Sequence, residues 1–169
     1  MNAIDLTSVI NINPGDFVFG SSPKHLYSTV LGSCVSLVLW HPQTSFYAMC
    51  HYMSPCSPNN TPSINIVNGR YADQILPFFE KQINKNNINP SELEISLIGG
   101  ATIAETSKLP AHFKIAVRNV EVAEAFISQC GFKLKCQDTG GTRARKVKFD
   151  SRTGTVHVIH IVSRSASNE

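Results

Sequence analysis

The chain has 169 residues, 42% hydrophobic and 16% charged, with a net charge of +3. That length and balance suit one globular domain with a sizeable core and exclude a disordered or fibrous chain. No apolar run approaches the roughly 20 residues of a membrane span, residues 1–13 lack the pattern of a signal peptide, and the charge does not by itself point to nucleic acid. A cytoplasmic protein without membrane insertion is expected.

Pro14-Gly15 is a turn signal, and residues 16–19 after it are expected to form a short strand. Val30-Leu31 leads into the small-residue turn Gly32-Ser33 that precedes Cys34. Residues 35–40 are β-branched, apolar and aromatic, bounded by His41-Pro42, and read as a buried strand. Residues 46–53 are a second apolar run, ended by Ser54-Pro55. The intervening Pro42-Gln43-Thr44-Ser45 is short enough for a hairpin.

Residues 56–63 form a loop rich in proline and asparagine. Residues 71–83 place Ala72, Ile75, Leu76, Phe79 and Ile83 at three- and four-residue spacing, which predicts an amphipathic helix. Pro77 is expected to kink it or divide it in two. Residues 93–98 predict a strand ending at Gly99-Gly100. Residues 119–130 predict a second helix, capped by Asn119, with Glu121 and Glu124 in its early turns and Gly131 as its stop. Residues 132–136, 145–149 and 155–162 predict strands separated by turns at 138–141 and 151–154, with 163–169 as a flexible tail. The expected architecture is one strand-rich α/β domain over 1–162, without the βαβ alternation of a doubly wound sheet.

Five cysteines are an odd number for a disulfide framework, so reduced thiols are expected. Pairing residues 35–40 with 46–53 brings Cys34 near His51: Cys34 lies eight residues before Pro42 and His51 six after Ser45, an offset of two. A cysteine beside an imidazole can ionise near neutral pH and attack an acyl or carboxamide carbon. The histidine then protonates the departing amine and later activates water. Backbone N–H groups near Gly32, Ser33 and Cys34 can hold the oxyanion, and Ser28 or Thr29 offers a hydroxyl to orient the ring. Cys34 as a buried hydrophobe is the competing reading.

The spacings Cys50-x5-Cys56 and Cys130-x5-Cys136 are longer than structural zinc sites favour, and His157 and His160 face opposite sides of a strand, so no metal is expected. Arg143, Arg145, Lys146, Lys148 and Arg152 make one basic cluster, either a solvated hairpin or a docking surface for acidic helices. Phe149 is the single aromatic residue within it, too few for a base-stacking surface, which argues against nucleic acid. Gly99-Gly100-Ala101 is either a close backbone approach to the active site or a plain turn.

The stretch Leu31-Gly32-Ser33-Cys34-Val35 followed by His51-Tyr52-Met53-Ser54-Pro55 resembles the signature of the CheD family. The likeness continues in order through Arg70-Tyr71-Ala72-Asp73, Gly99-Gly100-Ala101, Arg118-Asn119, Asp138-Thr139-Gly140-Gly141 and Arg145-Lys146-Val147. The family consists of cytoplasmic deamidases of chemoreceptor glutamines that also bind a CheC-type phosphatase. The resemblance implies a layered sandwich of mixed β-sheets packed with helices, with Cys34 as nucleophile and His51 as base. The family's threonine falls on Ser28, six positions before Cys34. It implies as partners the cytoplasmic helices of methyl-accepting chemoreceptors and possible binding of the phosphatase, with no cofactor. Ser54, His41, Ala116 and Ala144 depart from the family pattern. A non-catalytic regulator that binds the phosphatase, and an amidase for small substrates, are the alternatives.

Overall fold

The computed structural model describes residues 8–58, 66–103 and 110–162, without the side chains of 110–114. The expected tail, 163–169, and much of the proline-rich loop lie outside the described residues. Nine strands are described: β1 (Val9–Asn11), β2 (Phe17–Gly20), β3 (Leu26–Leu31), β4 (Val35–Trp40), β5 (Tyr47–Cys50), β6 (Glu94–Gly99), β7 (Leu134–Thr139), β8 (Arg145–Asp150) and β9 (Thr155–His160). Two helices accompany them, α1 (Ala72–Lys85) and α2 (Pro110–Cys130).

The strands form two mixed sheets, of order β2-β5-β4-β6-β7 and β1-β3-β8-β9. Side-chain alternation along the central strand β4 explains the layering. Val35, Leu37 and Leu39 enter one core with α1 and α2, while Val38 enters a second core with Tyr27, Leu31, Val147 and Phe149 of the four-stranded sheet. The five-stranded sheet is therefore buried on both faces, between the helices and the second sheet. This is the layered α/β sandwich that the sequence led us to expect.

Helix α1 docks through Ala72, Ile75, Leu76, Phe79 and Ile83, all buried. It runs as one helix through Pro77, contrary to the expected division in two. Pro77 sits on the exposed side, where water can serve the carbonyl that loses its intrahelical donor, and the buried stripe holds both halves to the core.

The second helix begins nine residues earlier than expected, at Pro110, a residue suited to a first helical position. Asn119 is thus inside the helix and does not cap it. Strands β1 and β3 were not anticipated. The two pair in parallel, and β3 also pairs with the distant β8, from Leu26 opposite Asp150 to Leu31 opposite Arg145.

Candidate active site

The hairpin of β4 and β5 is antiparallel, with Val38 opposite Met49. Beyond it an isolated bridge joins Val35 to Tyr52 through two backbone hydrogen bonds of 3.1 and 3.0 Å. Val35 and Tyr52 both point into the helix-side core. Their chain neighbours Cys34 and His51 must then point the other way, into the space between the sheets. Cys34 packs, partly buried, against that inter-sheet cluster. The two are diagonal neighbours across the pair, a relation of roughly 7–8 Å between backbones that long side chains can span.

His51 is 2% exposed, and the turn before β2 holds its backbone. Its N–H donates to Asp16 O at 3.1 Å, and its carbonyl accepts from Gly15 N–H at 2.8 Å. The imidazole Nδ1 lies 2.7 Å from Thr29 Oγ1 and 3.4 Å from Ile12 O. Thr29 donates its single hydroxyl hydrogen to Ile12 O at 2.5 Å. Its oxygen can then only accept from the ring, so the proton sits on Nδ1. Nε2 is left as a bare lone pair, buried and without a hydrogen-bond partner.

The hydroxyl at the imidazole is therefore that of Thr29, not that of Ser28. Tyr27 and Leu31 face the inter-sheet core, so alternation puts Thr29 on their side and Ser28 on the opposite face. There Ser28 sits in register between Asn11 of β1 and Lys148 of β8. Tyr27 and Leu31 mark the inward face only once β3 is paired with β8 and packed on the other sheet, so the sequence alone carries no signal that separates the two hydroxyls. A cleft of 260 Å³, lined by Asn11, Asn13, Ser28, Thr29, His51 and Lys146 among others, opens beside the ring.

Burial sets the electrostatics of the pair. It pushes the Cys34 thiol above its ordinary value, against the opposing pull of its own backbone N–H and the Ser33 side chain. Burial also pushes the His51 imidazole below its ordinary value, against the Ile12 carbonyl and the charge of Asp16. Both shifts favour a neutral thiol and a neutral imidazole at rest.

The turn before Cys34 is fixed from both sides. Gly32 O accepts from Ala101 N–H at 2.9 Å, and Ser33 O accepts from Asn119 Nδ2 at 3.0 Å. Gly100 N–H donates to Cys34 O at 2.9 Å. Gly99 has φ +118°, and a Cβ there would sit 2.2 Å from Cys34 O. Gly99-Gly100 is thus a close backbone approach to Cys34, and the plain-turn alternative falls away.

A larger cavity of 590 Å³ lies on the α2 side, lined by Gly100, Val120, Glu121, Glu124 and Gly141 among others, but neither Cys34 nor His51 lines it. The basic cluster is dispersed. Arg145 is 3% exposed, bonded through Nε to Asp138 at 2.9 Å and through Nη2 to Gly140 O at 2.8 Å. Arg152 pairs with Asp150 at 2.9 Å. Lys146 and Lys148 alternate onto the opposite face of β8 from Arg145. Cys50 faces the helices while His51 faces the other sheet, and His160 is bonded to Asp138 at 2.8 Å.

A family described as CheD chemotactic sensory transduction matches residues 53–160. The chain is 34% identical over 148 residues to the probable chemoreceptor glutamine deamidase CheD 1 of Chromobacterium violaceum, covering 87% of this chain and 75% of that protein. It is 34% identical over 152 residues to the probable chemoreceptor glutamine deamidase CheD of Pseudomonas syringae pv. tomato, covering 89% and 88%. It is 31% identical over 147 residues to the chemoreceptor glutamine deamidase CheD of Thermotoga maritima, covering 87% and 88%. Among solved structures, the Bacillus licheniformis hypothetical protein YfiH aligns with a TM-score of 0.46 at 11% identity, covering 75% of this chain and 51% of that one, a likeness too distant to bear on the site. The family match from α1 through β9, together with relatives that align along most of the chain, leads to one conclusion: the chain belongs to the CheD family.

Proposed function

We propose that this protein is a protein-glutamine deamidase that hydrolyses side-chain amides of chemoreceptor glutamines to glutamate, releasing ammonia. The observation that carries the reading is His51 with its proton on Nδ1 and a bare Nε2, on the same sheet face as Cys34. Family membership supplies the substrate class: the curated relatives bear the name chemoreceptor glutamine deamidase.

Nε2 takes the thiol proton as Cys34 Sγ adds to the amide carbon. The negative charge on the former carbonyl oxygen falls to backbone N–H groups of the Gly32-Ser33-Cys34 turn. His51 returns the proton to the amide nitrogen, the C–N bond breaks, and ammonia leaves a thioester on Cys34. His51 Nε2 then draws a proton from water as its oxygen adds to the thioester, and the thiol is regenerated with glutamate as product. Thr29 holds the ring and its tautomer throughout. No step requires a metal or organic cofactor. The partners on this reading are cytoplasmic helices of methyl-accepting chemoreceptors and a CheC-type phosphatase, and the location is the cytoplasm. Among the described residues no helix is long and apolar enough to cross a membrane.

The test is incubation of a chemoreceptor cytoplasmic fragment with wild type and with Cys34→Ala. Intact mass and ammonia are the readouts. A gain of about one mass unit per modified glutamine, with ammonia and with wild type only, is expected from amide-to-acid chemistry at a cysteine nucleophile. Full activity in Cys34→Ala would end the mechanism. Receptor binding without mass change in either sample would favour a regulator.

A further inference from the structure

Asn119 lies in the interior of α2 and is completely buried. Its Nδ2 donates to two main-chain carbonyls, Ser33 O at 3.0 Å and Met53 O at 2.9 Å. Its own backbone carbonyl accepts from the Tyr52 hydroxyl at 2.5 Å. From the helix layer, one side chain therefore ties the residue immediately before Cys34 to the residue two places after His51. Asn119 Oδ1 is buried without a hydrogen-bond partner. An apolar side chain of similar size would avoid that desolvation cost, so the position is supplying donors and not bulk.

The two donated bonds have a geometric consequence at the nucleophile. In a planar trans peptide, the carbonyl of one residue and the N–H of the next point in opposite directions. The Ser33 carbonyl is drawn toward α2, so the Cys34 N–H is aimed away from α2, toward the inter-sheet side where the Cys34 thiol and His51 lie. The Gly100 N–H on Cys34 O fixes the following peptide in the same way.

We propose that Asn119 is a positioning residue for the hydrolysis: it orients the Ser33–Cys34 peptide so that the Cys34 N–H serves the oxyanion, and it locks that peptide to the segment carrying His51. The inference rests on the Cys34–His51 reading given above. It assigns to the Arg118-Asn119 pair a task that neither proton transfer nor nucleophilic attack explains. Losing a well-placed oxyanion donor lowers kcat by about 10²–10³ in enzymes where this has been separated from binding.

The experiment compares wild type, Asn119→Leu, Asn119→Ser and Tyr52→Phe on a chemoreceptor cytoplasmic fragment, with Cys34→Ala as the reference for the reaction itself. Asn119→Leu keeps the bulk and removes both donors. Its kcat is expected to fall by about 10²-fold with KM within about threefold, as for an interaction felt in the transition state. Alkylation of Cys34 by iodoacetamide, which forms no oxyanion, should stay within about threefold of wild type. Tyr52→Phe removes a tie to the same helix but leaves the Ser33–Cys34 peptide bonded, and its kcat should stay within about threefold. If the leucine variant does not fold, Asn119→Ser is decisive, because a serine hydroxyl cannot reach both carbonyls and should show the same loss of kcat. A folded Asn119 variant with kcat within threefold of wild type overturns the proposal. Equal losses in Asn119→Leu and Tyr52→Phe also overturn it, since they would mark a purely structural role. Undiminished turnover by Cys34→Ala would instead remove the underlying mechanism, whatever the Asn119 variants do.

Discussion

Thr29 Oγ1 lies 2.7 Å from His51 Nδ1 while its hydrogen is committed to Ile12 O at 2.5 Å, so one hydroxyl on the four-stranded sheet fixes the tautomer of an imidazole on the other sheet. The proposed catalytic unit therefore spans both sheets, and the packing between them sets its geometry. Thr29→Val keeps the shape but removes the acceptor, freeing the ring to adopt the tautomer with the proton on Nε2. Deamidation kcat should fall by about ten- to a hundredfold, a part of the ~10²–10⁴ that general acid–base catalysis contributes. Thr29→Ser should recover most of the activity. Ser28→Ala, at a buried position on the opposite face of β3 from Thr29, should leave kcat within about twofold. Equal losses from Thr29→Val and Ser28→Ala in steady-state assays would contradict this assignment.

The neutral resting pair makes a prediction about pH. Burial lowers the His51 pKa, so the base stays unprotonated to a lower pH than an ordinary histidine, whose value is about 6.5. The acid limb of kcat/KM should therefore fall below about pH 6.5. Burial raises the Cys34 pKa, so the fraction of thiolate is smaller than for a free cysteine throughout the neutral range. Alkylation of Cys34 by iodoacetamide should still be climbing with pH beyond the ordinary thiol value of about 8.5, where a free cysteine levels off. Stability carries the same signature for the histidine. Its folded pKa lies below its unfolded one, so its contribution is fully present above about pH 6.5 and is lost as the pH falls through the folded value. A Cys34 that alkylates faster than the other cysteines at mildly acidic pH would show that the pair rests as an ion pair.

Much of this organisation was legible along the chain. Residues 35–40 form an unbroken run with a turn at each end, so the structure's β4 has the bounds read from the sequence. The stripe of α1 is equally local, five apolar residues on one face. β3 was not legible, because Ser28-Thr29 interrupts its apolar residues and its partner β8 is more than a hundred residues away. For the same reason the sequence could offer both hydroxyls but not choose between them. The choice needs the strand's facing, which only pairing with β8 and packing on the other sheet define. Asn119 misled in the opposite sense: its type favours helix caps, yet tertiary bonds to Ser33 and Met53 hold it inside a longer helix.

Arg145 was read as part of a basic cluster on a hairpin, and its burial turns it into a structural prediction. It holds Asp138 and the Gly140 carbonyl, fixing the loop that follows β7. Arg145→Met leaves the Asp138 carboxylate and Gly140 O without this donor, which should lower stability by about 2–3 kcal/mol. That is less than the ~3–5 kcal/mol of a fully enclosed pair, because Asp138 keeps contact with water. Urea denaturation monitored by circular dichroism would check it. A change under about 0.5 kcal/mol would mean that solvent replaces the arginine without cost.

Gly99→Ala tests the backbone approach behind Cys34. The residue combines φ +118° with a Cβ position 2.2 Å from Cys34 O, so alanine meets both backbone strain and a clash with a main-chain atom that no rotamer change can relieve. Strain at such a φ and overpacking of a close contact each cost about 1–3 kcal/mol, so a loss of about 2–4 kcal/mol is expected. At roughly 2–4 °C per kcal/mol for a chain of this size, the melting temperature should drop by about 5–15 °C. The clash pushes directly on the carbonyl of Cys34, the proposed nucleophile, and displacements near 1 Å can cost about 10²-fold in rate, so kcat should fall by at least about tenfold in the folded fraction. Gly140→Ala is the matched control. Its φ is +76°, but a Cβ there meets nothing within 4 Å, so only the left-handed backbone penalty of about 1–2 kcal/mol applies and kcat should be nearly unchanged. Similar kinetic losses in the two variants would mean that backbone strain, and not contact with Cys34 O, is what Gly99 relieves.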